Sequence, residues 1–277
     1  MLQLVFRLRL FVGRLHLFEF EDQAWLPSVI RDGLTGILNI IEEKAKLYIT
    51  IVPCIRSVLW ELKCEKIIDL CSGSGGPWKY LIGHLVDSKT ISLKVLLSDK
   101  FPSFNIFELD AVQSSKLEYA PYPVDAKKVP KELTGFRTIF GSFHHFRPEE
   151  AVGILQDVVK CREGIALFEM TRRNWFSIMY ILFLGPIAVL FFIPFLKPFR
   201  WMRLILTYLF PLIPLVFVFD GIVSCLRTYS LEELQMIVKK TRGNELYDWE
   251  IGMKKCERFS GGITYLIGYP KTKTSII

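Results

Sequence analysis

Residues 67–78, IIDLCSGSGGPW, constrain this chain more than any other stretch. A short apolar run ends in Asp69-Leu70, turns through Gly73, Gly75 and Gly76, and opens into a segment with helical spacing. That pattern predicts a buried strand of an α/β sheet whose turn and following helix present backbone N–H groups at the strand end. The turn also discriminates among cofactors. A GxGxxG dinucleotide loop needs its third glycine where helix and strand approach closely. Counted from Gly73, that position is Trp78, whose indole argues against NAD or FAD. A phosphate-binding P-loop would end in Gly-Lys-Ser/Thr, which is absent here.

The alternation continues downstream. Apolar runs at 94–97, 136–140 and 165–169 read as strands, 119–124 as a weak strand interrupted by prolines, and 76–85 and 148–159 as helices. Pro148 suits a first helical turn, where Glu149 and Glu150 complement the helix dipole. Further on, Ser230 and Glu233 form a capping box, and 248–252 and 262–269 read as closing strands. Strands alternating with helices predict a mostly parallel sheet covered on both faces. Ahead of it, Val29, Ile30, Leu34, Ile37, Leu38 and Ile41 recur at helical spacing after Pro27-Ser28, and Pro53 starts a second helix to about Leu62. Glu19, Glu21 and Asp22 precede these helices and read as first-turn capping or as a lid over a cationic cofactor.

Four features fall at the carboxyl ends of strands, where open α/β sheets bind ligands. They are the 69–76 turn, Asp99-Lys100 at 26 residues beyond Gly73, Asp125-Ala126, and Gly141-Ser142. A carboxylate at Asp99 can accept from ribose hydroxyls, and one at Asp125 from an exocyclic amine. In this order the motifs DLCSGSGG (69–76), LLSDKFP (96–102), YPVDA (122–126) and TIFGSFHHF (138–146) resemble those of the class I S-adenosylmethionine-dependent methyltransferases. The segment DGIVSCLRTYSLEEL at 220–234 is similar to that family's region after the fifth strand, so the resemblance covers roughly 67–169 and 220–269.

The resemblance implies a Rossmann-like α/β fold with a seven-stranded methyltransferase sheet, mostly parallel with the last strand antiparallel. It implies S-adenosylmethionine as cofactor and methyl transfer as activity. Residue by residue, it implies that the Gly73–Gly75 backbone lies against the methionine portion and ribose. Asp69 would orient the methionine amino group, Asp99 would hold the ribose and Asp125 the adenine amine. Cys71, Ser74, Lys100, Ala126 and Gly141 complete the expected cofactor-binding set. Cys71 stands where the family has glycine; a small thiol keeps the site but implies a less extreme turn. A sulfonium is already electrophilic, so catalysis is mainly positioning, and no metal is expected. A base is needed only where the acceptor loses a proton, and His144 and His145, just past the fourth strand, are the candidates. Glu169 is expected to face substrate or to pair with Arg172 or Arg173, while His16 and His84 are read as structural.

Composition bears on the partner. The chain is 51% hydrophobic with net charge +7, and residues 176–196 and 204–219 carry no charge at all. A spanning helix needs ~20 apolar residues; the first run reaches that and the second falls short. Gly185-Pro186 and Pro211 with Pro214 interrupt the runs, and Lys197, Arg200 and Arg203 separate them. Three geometries follow: a spanning hairpin, two half-dips turning at the prolines with the basic linker at the headgroups, or an apolar cap around a lipid-sized pocket. The chain therefore divides into an amphipathic segment and helical cap (1–62), a cofactor-binding core (63–174), an apolar insertion (175–219) and the rest of the core (220–277). The expected partners are a membrane and a hydrophobic or lipid-like small-molecule acceptor, with the catalytic domain cytoplasmic. Without basic runs interleaved with aromatics, no nucleic acid is expected. Six scattered cysteines without a CxxC pair read as free thiols, not zinc ligands or a disulfide framework. Residues 1–20 are broken by Arg7, Arg9 and Arg14, so they read as a basic amphipathic segment lying on a membrane or packing on the domain, not as a signal peptide. Two competing readings remain, a non-catalytic membrane-bound protein retaining the fold and an NAD-dependent reductase. Intact Asp69, Gly73, Gly75, Asp99 and Asp125 weigh against the first, and Trp78 against the second.

Overall fold

A computed structural model describes residues 13–73, 75–85, 93–102, 116–256 and 259–271. Seven strands form one sheet: β1 (Lys66–Leu70), β2 (Lys94–Ser98), β3 (Leu117–Tyr119), β4 (Phe136–Phe140), β5 (Ile165–Glu169), β6 (Tyr247–Cys256) and β7 (Phe259–Pro270). Their order is β3-β2-β1-β4-β5-β7-β6. The first five run parallel, and β7 is antiparallel to both β5 and β6. This is the sheet the motifs imply. The third strand lies earlier than 119–124, because Pro121 and Pro123 cannot donate to a ladder and the chain leaves the sheet at Tyr119.

Among the described residues, seven α-helices of eight or more residues accompany it: α1 (Ser28–Ala45), α2 (Val52–Leu62), α3 (Trp78–Leu85), α4 (Pro148–Cys161), α5 (Trp175–Phe192), α6 (Leu212–Arg227) and α7 (Leu231–Lys240). The capping signals are borne out. Pro148 opens α4, and Ser230 and Glu233 cap each other's backbone at the start of α7. Ile55, Leu59, Trp78 and Leu81 of α2 and α3 cover one sheet face, while Ile154, Val158, Leu234 and Ile237 of α4 and α7 cover the other. Each such side chain contributes about 1.5–3 kcal/mol by leaving water.

A third core lies off the sheet. Ile30, Leu34 and Ile37 of α1 pack on Val189, Ile193 and Ile213 of the apolar insertion. This contact decides how the insertion is built. α5 runs unbroken through Pro186 and continues as a 3-10 turn to Phe195, 21 residues in all, about 30 Å of helix. Gly185 lies against Phe217 of α6, so the two helices support each other where the proline removes a hydrogen bond. The expected turn at Gly185-Pro186 is therefore absent. The second run does bend, by 77° between the 201–209 and 212–227 segments. Pro214 causes no further break because it lies in the first turn of α6, where an N–H has no helical partner. α6 continues through residue 220 to Arg227, so one helix joins the apolar insertion to the sheet domain.

Both ends of α5 are tied to the domain. Arg173 pairs with Glu233 at the near end, and at the far end Leu196 packs on Gly36 and Arg200 pairs with Asp32 at 3.3 Å. Arg203 is buried and donates to the Pro198 carbonyl. Arg200 and Arg203 thus turn inward, unlike the headgroup-facing linker of the half-dip geometry. The hairpin lies along α1 and leaves Phe183, Ile187, Phe191, Tyr208 and Leu215 exposed on its outer side.

The described part of the N-terminal segment is an extended strap packed on the domain, not a helix. Arg14 donates to the carbonyls of Arg227, His144 and Phe146, and its guanidinium lies 4.0 Å from the Tyr229 ring centroid. Leu15 N–H donates to the Leu226 carbonyl, and Arg227 returns a hydrogen bond to the carbonyl of Leu17. All six cysteines are unbridged.

Candidate functional site

Parallel register brings the carboxyl ends of β1, β2, β4 and β5 to one edge. Asp69 stands opposite Thr138 across the β1–β4 ladder, and Leu70 opposite Ser98 across β1–β2. The Thr138 hydroxyl donates to Asp69 Oδ1 at 2.5 Å, and the Ser72 hydroxyl donates to Oδ2 at 2.6 Å. Burial nevertheless pushes the Asp69 carboxyl up to about 7, against these hydrogen bonds. Glu42 of α1 lines the same cavity. Burial first, and then the Asp69 charge, pushes its carboxyl up to about 8. Asp69 and Glu42 thus set two buried carboxyl groups against one cavity.

The turn after β1 is tighter than the thiol at Cys71 suggested. Cys71 adopts φ +58°, the left-handed conformation that glycine favours, so the side chain is accommodated without relaxing the turn. Gly73 (φ +50°) donates its N–H to Asp99 Oδ2 at 2.8 Å, which locks the loop to the end of β2. Gly75 (φ +96°) lines neither of the cavities described below. It is needed because a Cβ there would lie 2.6 Å from the Tyr119 hydroxyl. Ser74 lies outside the described residues. Trp78, the residue that argued against a dinucleotide loop, is buried edge-on against Phe140.

Two cavities meet at this turn, with Cys71, Gly73, Ser142 and His145 as shared walls. The smaller, about 320 Å³, is lined by Asp99, Lys100, Phe101, Asp125 and Ala126. There Asp99 also accepts from the N–H of Phe101, and Asp125 accepts from the N–H of Lys127 and lies 3.9 Å from the Lys100 ammonium. The larger, about 570 Å³, starts at Asp69, Glu42 and Gly141 and continues between the apolar helices past Tyr180, Leu184 and Phe217. Gly141 has φ +58°, and a Cβ on it would lie 3.4 Å from the Tyr48 hydroxyl. The expected cofactor residues among those described thus line two adjacent cavities with shared walls, except Gly75, which acts through the loop's shape.

His144 and His145 occupy a short 3-10 turn after β4 and line the larger cavity. Glu169 holds His144 twice, accepting from its backbone N–H at 3.0 Å and contacting its Nδ1 at 2.9 Å. His144 and these hydrogen bonds keep the Glu169 carboxyl low despite its burial. His144 is thus its partner, and Arg173 pairs with Glu233 instead. His145 Nδ1 lies 2.7 Å from Asp22 Oδ1 and 3.2 Å from Glu19 Oε2. Burial pulls the His145 imidazole down, but the two carboxylates outweigh it and hold it at about 9. Charged at neutral pH, His145 cannot accept a proton there, and of the two candidate bases only His144 retains an open nitrogen. His84 is exposed on the last turn of α3, and His16 contacts Arg14.

Glu19, Glu21 and Asp22 do not cap α1, whose first turn holds no acidic residue. The strap carries them over the cavities. Asp220 of α6 accepts from the N–H groups of Phe20 and Glu21, and Arg227 binds Asp22 at 2.7 Å. Glu42 was missed by sequence reasoning. Its signal is a carboxylate four residues after Leu38 and eight after Leu34 on the buried stripe of α1, where a charge is rare unless it has a task.

No protein-family profile matches the chain, and no curated protein matches it in sequence. Solved structures do match in fold. The plantazolicin methyltransferase BpumL, solved in complex with SAH, superposes with TM-score 0.53 at 12% identity, over 88% of this chain and 96% of that one. The methyltransferase domain of bacterial CtHen1 gives 0.46 at 11% identity, over 79% and 97%. The likeness to the first is one of fold, and the fold is the class I methyltransferase fold.

Proposed function

We propose that the protein transfers a methyl group from S-adenosylmethionine to a hydrophobic, lipid-like acceptor at a membrane surface. The observation that carries this reading is the pair of adjoining cavities, polar and acidic at the strand ends and apolar between α5 and α6. Adenosine fits the smaller part, with Asp99 accepting from ribose hydroxyls and Asp125 from the adenine amine. The ammonium of the methionine moiety then lies at Asp69 and Glu42, where a cation relieves the cost of two buried carboxylates. The acceptor occupies the apolar remainder, with its reacting atom beside Gly141 and His144. Transfer from a sulfonium depends chiefly on holding the nucleophile in line with the methyl group, which a narrow apolar cavity does for a long chain.

The outer face of the hairpin supports the membrane part of the reading. Phe183, Phe191, Trp201, Leu209 and Phe210 are all exposed there, and a large exposed apolar surface is a mark of a membrane or protein contact. Since the hairpin lies along α1 with both ends tied to the domain, we favour an interfacial cap whose outer side sits among acyl chains on the cytoplasmic face. The acceptor would enter the cavity from that side.

Labelled S-adenosylmethionine incubated with the protein and a membrane lipid extract tests this. Label is expected in the organic phase. Ala188→Trp, which blocks the apolar part of the cavity, should abolish transfer and leave S-adenosylmethionine binding intact. Transfer only to water-soluble acceptors, unchanged by that substitution, would refute the lipid acceptor. Absence of S-adenosylmethionine binding in calorimetry would refute the whole reading.

A further inference from the structure

The two histidines and the strap meet in a way that methyl transfer alone does not require. Glu19, from the strap, and His144 and His145, from the turn after β4, bring one ligand atom each within 4.8 Å of one another. Glu19 is 1% exposed and His144 is 2% exposed, yet among the described residues neither Glu19 Oε2 nor His144 Nε2 has a hydrogen-bond partner. Unpaired buried polar atoms are uncommon and costly, at about 1–3 kcal/mol each. Here His144 Nε2 is one such atom, and Glu19 Oε2 beside it has only its ion pair with His145.

From this we infer that Glu19, His144 and His145 form a binding site for a divalent transition-metal ion, with Asp22 as a further oxygen ligand. Bonds of ~2.0–2.2 Å to nitrogen and oxygen place two ligands of one ion about 3.0–3.4 Å apart. Glu19 Oε2 and His145 Nδ1 are 3.2 Å apart, His144 Nε2 is 3.9 Å from Glu19 Oε1, and the three ligand atoms lie within 4.8 Å of one another, so a modest closure around an ion completes the set. The Nδ1 of His144 is already held by Glu169 at 2.9 Å, the arrangement by which a carboxylate orients a metal-binding imidazole and leaves Nε2 for the ion. Charge agrees. The carboxylates of Glu19 and Asp22 contact one guanidinium, that of Arg227, at 3.3 and 2.7 Å, and Glu169 adds a third negative group. An ion would take the place of the proton that His145 shares with Asp22. Two imidazoles with carboxylates suit zinc, iron(II), cobalt or manganese better than the all-oxygen cations. Because His144 and His145 line the larger cavity, the ion's open positions face its contents and would take an oxygen of a bound molecule. That use rests on the proposed function; binding of the ion does not.

The test uses full-length protein in nanodiscs, stripped with chelator and titrated with Co²⁺. Visible ligand-field bands report coordination, and equilibrium dialysis reports stoichiometry. One Co²⁺ per chain with micromolar or tighter affinity, displaced by Zn²⁺, is expected. Glu19→Gln and His145→Asn should each weaken binding at least tenfold and alter the bands. Glu169→Gln, which acts through His144, should weaken it about 10–100-fold. Near-UV circular dichroism of each stripped variant verifies the fold, and Asp22→Asn gives a partly exposed second probe should Glu19→Gln fail to fold. No bands up to millimolar Co²⁺, or bands untouched by these substitutions, would overturn the inference. S-adenosylmethionine calorimetry on the same samples separates the two proposals, since cobalt binding without cofactor binding sinks the proposed function and leaves the metal site standing.

Discussion

Glu42→Gln should make the empty protein more stable at alkaline pH while weakening its hold on a cationic cofactor. The carboxyl is pushed from 4.5 to about 8 in the folded chain, so the fold binds that proton far more tightly than the unfolded chain does. Stability tied to this group is present in full below about pH 4.5 and is lost as pH rises through 8. At ~1.4 kcal/mol for each tenfold in proton affinity, the loss approaches about 5 kcal/mol by pH 9, of which roughly 3 kcal/mol is already gone at pH 7. Glutamine keeps the shape and never ionises. The difference between the two proteins in urea unfolding should therefore be small at pH 5 and reach several kcal/mol in the variant's favour at pH 9. Cofactor binding reverses the sign. A cation beside Glu42 and Asp69 favours their charged forms, so S-adenosylmethionine affinity in the native protein should rise about tenfold from pH 6.5 to 8.5 and rise less in the variant. If the variant follows the native protein at every pH, or is less stable throughout, Glu42 does not carry an uncompensated charge and the cation-site argument fails.

Other substitutions separate the site from the scaffold. Gly75→Ala places a Cβ 2.6 Å from the Tyr119 hydroxyl at φ +96°, and should cost about 1–3 kcal/mol in thermal unfolding together with most cofactor affinity in calorimetry. Cys71→Gly removes a side chain from a left-handed position and should raise stability by roughly 0.5–1 kcal/mol with cofactor affinity kept. Arg137→Met leaves Glu163 and Asp157 without their buried partner at the opposite edge of the sheet, and should cost about 3 kcal/mol in urea unfolding without changing cofactor affinity. Arg14→Ala removes three hydrogen bonds to carbonyls of the strap's dock and should speed hydrogen exchange at 144–146 far more than it lowers the melting temperature.

The sheet was legible because β1, β2, β4 and β5 are largely buried on both faces and read as short apolar runs bounded by turns. β4 and β5 match their expected bounds, and β1 and β2 differ by a single residue at one end. β3 was misplaced because its apolar signal is spread beyond the paired residues by Ala120 and Val124, which are buried in a loop. Asp69 and Asp99 were placed at the cavities by their position at the ends of β1 and β2, which local sequence records, whereas Asp125 reaches the smaller cavity from the loop beyond β3. Glu42 and Glu19 come from elements that topology folds over that edge, and no local spacing carries that information. Pro186 misled for a related reason: a proline breaks an isolated helix, but packing of α5 on α6 outweighs the lost hydrogen bond.

α6 joins the two halves of the proposed reaction. Its outer residues, among them Leu215 and Phe219, belong to the exposed apolar face. Its inner residues Asp220, Ser224 and Arg227 hold the backbone of Phe20 and Glu21, the carboxylate of Glu19, and Asp22 with the carbonyl of Leu17. The strap is thus seated on the helix that the proposed function sets against the membrane, and the strap supplies the acidic groups that contact His145. Any shift of α6 along its axis moves Glu19 and Asp22 relative to the turn after β4, which is fixed to the sheet by Glu169. Seating of the hairpin in a bilayer therefore bears on the geometry around His144 and His145 through a chain of direct contacts, with no long-range signal needed. Detergent that frees the hairpin should loosen that cluster before it loosens the turn after β1, because the hydrogen bonds that hold Gly73, Asp69 and Asp99 among the described residues run between the strand ends and the loops that follow them.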